Sequence, residues 1–200
     1  MSERHRLIVE WLAMLAAFFL VAAANTLIGL PSDSPWVGIL FEVELVAVVG
    51  TVLLSTKRLR TWSSILWKGT SAEFFYWALL IGLVGSVVAN LPMAHGGNPQ
   101  SLSIAFDSIA IAPVVEELIF RGYILWSAER AFGTSAGVAL SSILFAAAHV
   151  PGGLATVLSS VVIGLCFAVL TVKAKSLVPA VVGHVSFNLV PLVLVLVRAS

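Results

Sequence analysis

Charge is what this 200-residue chain has least of: only 10% of its residues are Asp, Glu, Lys or Arg, against about 25% in a typical soluble domain. With 60% hydrophobic residues and a mean hydropathy of +1.05, that scarcity argues against an ordinary soluble fold. The net charge is +1, and no basic tract exists beyond Lys57-Arg58-Leu59-Arg60, so a nucleic-acid partner is excluded. A single cysteine, Cys166, rules out an intrachain disulfide and says nothing about redox compartment. Several catalytic signatures are missing as well. There is no His-Glu-x-x-His zinc motif, no Gly-x-Ser-x-Gly nucleophile elbow and no phosphate-cradling glycine loop. The only aspartates are Asp33, in a loop, and Asp107, which argues against an aspartyl dyad. No internal repeat, low-complexity tract or linker divides the chain, so residues 1–200 read as one integral-membrane domain.

Apolar runs fill what remains. They lie near 7–30, 36–55, 71–91, 101–128, 136–150, 154–172 and 177–197. Most approach the roughly 20 residues a helix needs to cross the hydrocarbon layer. The pattern predicts an all-α polytopic membrane bundle of about seven transmembrane helices. The fifth run is short, and Pro151-Gly152-Gly153 turns it into the sixth as a tight hairpin. Pro191 predicts a kink in the seventh. With the N-terminus cytoplasmic, Arg4, Arg6, Lys57, Arg58, Arg60, Lys68, Arg130, Lys173 and Lys175 all fall on the inner side. Only Arg198 falls outside, a clear positive-inside bias. Arg4, Arg6 and Ala22-Ala23-Ala24 give the first run a look of a signal peptide. Glu10 and Trp11 interrupt it, however, and it continues to Leu30, so it reads as a span. Residues 57–70 set Leu59, Trp62, Ile65 and Leu66 at helical spacing beside Lys57, Arg58 and Lys68. This suits a short helix in the cytoplasmic interface, a basic loop being the alternative. Trp36 and Trp126 fall near span ends, where an aromatic belt is expected.

Few ionisable residues lie inside the spans. Glu10 and Glu73 sit close to cytoplasmic ends, where they can snorkel or meet a Lys or Arg. Glu42, Glu44 and Asp107 lie about two helical turns from outer ends and carry no assigned role. Span four is different. Glu116-Glu117-Leu118-Ile119-Phe120-Arg121 puts three formal charges where one central charge costs roughly 2.5–3.5 kcal/mol. Glu117 and Arg121, four apart, stack on one helical face in the favoured order and compensate each other. Glu116 is rotated about 100° away and has no such partner in its own helix. It must be neutral or be met from another span. Span five ends in Ala146-Ala147-Ala148-His149, whose small side chains let helices approach. Span seven carries His184 and Asn188, four apart and so on one face. Counting 1.5 Å per residue from the cytoplasmic ends puts Glu116 roughly 18 Å deep, His149 roughly 16 Å, and His184 and Asn188 roughly 10 and 16 Å. One layer therefore holds four polar groups, which suits a water-filled pocket opening to the cytoplasm.

A carboxylate and a histidine holding one water make a general base. A second histidine and an amide can donate hydrogen bonds to a developing oxyanion. Glu116, His149 and His184 are also a His₂Glu set, a ligand type of some catalytic zinc sites. Residue types alone leave both modes open, with no cofactor favoured and Zn²⁺ the alternative. The ordered motifs Glu116-Glu117-x-x-x-Arg121, Phe145-x-x-x-His149 and His184-x-x-x-Asn188 resemble the CAAX-protease and bacteriocin-processing (CPBP/Abi) group of intramembrane peptidases, which includes the Ras-converting CAAX endopeptidases. The resemblance covers roughly residues 100–192, the expected catalytic core. It implies an endopeptidase in which Glu116 and His149 activate water, while His184 and Asn188 line the oxyanion hole. Glu117 and Arg121 would support the site. Group members cleave prenylated C-terminal peptides, are linked to bacteriocin maturation or immunity, or act as scaffolds. The expected partners are membrane lipid and a peptide or membrane-protein substrate, and the expected location is a prokaryotic plasma membrane, multi-pass. Two other functions use the same residues. One is a non-enzymatic scaffold or immunity protein of the same group. The other is an ion-coupled transporter with a Glu42, Glu44 and Glu116 relay, against which the lack of an inverted repeat counts.

Overall fold

The computed structural model describes residues 3–28, 35–57, 66, 68–90 and 107–199. Among the described residues every regular element is helical. The long helices are α1 (Glu3–Ile28), α2 (Pro35–Ser55), α3 (Ala72–Asn90), a continuous α4 over 107–132, α5 (Thr134–Ala148), α6 (Gly153–Ala174) and α7 (Val178–Ala199). They follow the apolar runs because the runs end at residues that stop helices. Gly133 at φ 94° separates α4 from α5, and Gly153 at φ 84° follows the Val150–Gly152 turn before α6. Segments Ala72–Ala89 and Val150–Ala174 are long and apolar enough to cross a membrane, and shorter apolar stretches lie at Val43–Leu54, Thr134–Ala148 and Val178–Leu194. The outer surface is apolar too: Leu20, Leu54, Val88, Leu154 and Val162 are all exposed. Such a surface suits lipid better than water.

Helix α4 is the central element, buried continuously from Ile119 to Ala128. Two stretches of it, Asp107–Ile111 and Leu118–Leu125, are wound as wider π-helix, a form concentrated at functional sites. Trp126 corrects the aromatic-belt expectation. It is a core residue, 6.1 Å from the Tyr123 ring and stacked beneath Arg130 at 5.5 Å. The side chains of Trp36, Glu42 and Asp107 lie outside the described set. So do residues 58–65 and 67 of the expected interfacial helix. Leu66 is buried, and its carbonyl accepts the Leu177 N–H at 2.9 Å, so this end of the segment docks on the α6–α7 turn. Glu10 meets Arg6 at 3.5 Å, and Glu73 accepts a 3.4 Å hydrogen bond from the Trp77 indole. Pro191 sits inside α7, which continues beyond it to Ala199.

The α3–α7 crossing is set by glycine. A methyl group on Gly82 would run into the Gly183 carbonyl oxygen, and one on Gly183 would lie 2.8 Å from Phe167 Cε1 and 3.0 Å from the Ala78 carbonyl. Backbones meet here with no side chain between them, which fixes the stretch of α7 that carries His184. Gly82→Ala should therefore lower the thermal midpoint of the detergent-solubilised protein, corresponding to about 1–3 kcal/mol of overpacking. Gly50→Ala, with nothing within 4 Å, should leave the midpoint level or raise it. Equal behaviour of the two variants would contradict the close crossing.

Candidate active site

The site is built outward from Glu117. Its Oε1 lies 2.9 Å from Arg121 Nη1, and both side chains are 0% exposed. The i, i+4 pairing expected within α4 is therefore present, in full burial. Arg121 is held from two further helices: Nη2 donates to the Gly164 carbonyl of α6 at 3.2 Å, and the guanidinium lies 4.2 Å over the Phe145 ring of α5. Gly164 is small for a reason. A Cβ there would stand 3.3 Å from both Arg121 Nη2 and Phe145 Cδ1.

The same Glu117 oxygen also reaches His184 Nδ1 at 2.9 Å. Helical spacing within one span cannot show a contact between helices 67 residues apart, so this partner was not legible in the sequence. An oxygen already receiving the Arg121 N–H accepts again here, so Nδ1 of His184 carries the hydrogen. The other ring nitrogen, Nε2, lies 3.7 Å from Glu116 Oε2. That separation is too long for a direct hydrogen bond, and Glu116 Oε2 accepts none. His184 thus sits between two adjacent carboxylates with different access. The Glu116 side chain is 22% exposed and that of Glu117 is 0%. Of the two carboxylates, only Glu116 has accessible surface.

His149 closes α5, half-buried, with Nδ1 2.8 Å from the Phe145 carbonyl. A carbonyl only accepts, so Nδ1 carries the hydrogen and the neutral ring keeps Nε2 as an open acceptor. Its ring lies 4.6 Å from that of Phe145, which also meets the His184 ring edge-on at 5.8 Å. Phe145 therefore touches Arg121 and both imidazoles, a role that its place in the motif did not reveal. Asn188 lies one turn beyond His184 on α7 and is half-buried. In sum, Glu116, Glu117, Arg121 and His184 are in direct contact, His149 joins them through Phe145, and Asn188 extends the His184 face. Glu44 is half-buried on α2. Among the described residues, no three His, Cys, Asp or Glu side chains gather closely enough to hold a metal ion. Glu116, His149 and His184 as they stand do not fit one.

Residues 98–190 match the family model described as type II CAAX prenyl endopeptidase Rce1-like. The segment is similar to that family, one of integral-membrane proteases, and it contains every residue of the site above. No curated protein and no solved structure gives a significant match. Within this CAAX-protease segment the buried ion pair carries a clear expectation. Arg121→Met strips the guanidinium from a carboxylate with no exposure, a change that typically costs about 3–5 kcal/mol. Chemical denaturation of the purified variant should show a loss of that size, and an unchanged midpoint would contradict the pairing.

Proposed function

We propose that this chain is an intramembrane endopeptidase that hydrolyses membrane-associated peptides or proteins, including lipid-anchored or CAAX-like substrates. The carrying observation is His184 held between two carboxylates, of which only Glu116 is accessible. In this mechanism His184 acts with both ring nitrogens protonated, Nδ1–H on Glu117 and Nε2–H turned to the substrate, while Glu116 stands beside it at 3.7 Å. The substrate carbonyl accepts the Nε2–H. Water held between the Glu116 carboxylate and Nε2 of His149 then attacks the carbonyl carbon, and Glu116 takes its proton. The oxyanion is met by His184 Nε2–H and the Asn188 amide. Collapse breaks the C–N bond, Glu116 passes its proton to the leaving amine, and two shorter peptides depart. Glu117 and Arg121 hold His184 in the required orientation throughout. The supporting frame is a multi-pass bundle of about seven spans with a cytoplasmic N-terminus, in a prokaryotic plasma membrane.

Purified Glu116→Ala and His149→Ala proteins should fold, insert and leave a prenylated CAAX-like peptide uncut. Asn188→Ala should lose about 10²–10³ in rate, the usual cost of removing one oxyanion donor. Full activity of Glu116→Ala would sink this reading. Every step here uses side chains alone, so cleavage should survive chelation. Stoichiometric zinc whose removal stops cleavage would overturn the side-chain mechanism.

A further inference from the structure

A second cavity, of about 420 Å³, opens below Arg121 at the end of the bundle where α4 finishes and α6 turns into α7. Lys68, Arg121, Arg130 and Lys175 line it, with Glu129 as its one acid. Most of these charges have partners. Glu129 accepts from the Thr134 hydroxyl at 2.7 Å, and Arg130 pairs with Glu3 at 3.0 Å. Lys68 and Lys175 are exposed, and neither forms an ion pair among the described residues. Beneath them the Arg121 side chain is closed off, with no exposure. Lys175 also holds a left-handed backbone at φ 50°, ψ 36°, a position where glycine is the usual choice. Lys175 stands at the cavity's edge. Leu66, Leu125 and Leu177 form an apolar part of the wall, beside Thr171 and Ser176.

We infer that this cavity binds the phosphate headgroup of an anionic membrane phospholipid. Lys68 and Lys175 supply the cations at the mouth. Leu66, Leu125 and Leu177 meet the first methylenes of the chains. A basic pocket between helix ends beside a lipid-facing apolar surface is a headgroup-type site, and its apolar wall favours a lipid over a free anion.

Binding can be read by stability alone, so its failure leaves the peptidase reading untouched. The intact protein in neutral detergent would be titrated with phosphatidylglycerol, phosphatidylcholine or inorganic phosphate while its thermal midpoint is followed. Phosphatidylglycerol near 100 times its Kd should raise the midpoint by about 5 °C or more, and phosphatidylcholine should not. The Lys68→Gln/Lys175→Gln protein should lose most of that rise while keeping its midpoint in phosphatidylcholine. Lys57→Gln, an exposed lysine at the end of α2, should keep the rise. An equal rise in the double variant, or an equal rise with inorganic phosphate, would overturn the proposal. Should the double variant fold poorly, Lys175→Glu alone provides the same comparison.

Discussion

One carboxylate oxygen organises this protein. Glu117 Oε1 accepts from Arg121 on its own helix and from His184 on α7, with no exposure of either Glu117 or Arg121. Placing such groups in an apolar interior is unfavourable unless all are matched. The surrounding structure reads as the means of matching them. Gly164 offers its carbonyl to the guanidinium and leaves space for it, while Phe145 and Phe167 enclose it at 4.2 and 5.8 Å. Remove Arg121 and the carboxylate loses its counter-charge. Remove Glu117 and His184 loses the acceptor that orients its ring.

From that joint the chemistry divides between neighbours in the chain. Glu116 and Glu117 are adjacent, yet helical geometry turns one toward the packed interior and leaves the other partly open. The buried member orients an imidazole, and the open member faces that imidazole's second nitrogen. The two histidines are anchored alike, each through Nδ1: His149 to a backbone carbonyl and His184 to a carboxylate. Each ring therefore turns Nε2 outward, and what differs is the charge behind it.

Much of the fold was legible in the sequence because the runs are long and their ends are marked by Gly133, Pro151 and Gly153. The Glu117–Arg121 pair was legible too, since spacing within a helix fixes who stacks on whom. Contacts between helices were not. The His184–Glu117 bond and the place of Phe145 between Arg121 and the imidazoles depend on crossing geometry that no single run encodes. Trp126 was misread for a related reason: position near a span end suggests a belt, but the centrality of α4 buries it. The π-wound stretch at Leu118–Leu125 was not legible, because the apolar run continues through it and Gly122 alone does not specify a wider winding.

The central claim is that Glu116 is the working base of a peptide-bond hydrolysis. Its most direct test is a comparison of protein termini in membranes from cells carrying wild type and the isosteric Glu116→Gln variant at equal membrane abundance. The expected result is accumulation of at least one uncut membrane-associated protein in the variant, with loss of its matching cleavage product. Identical sets of termini in the two membranes would contradict it.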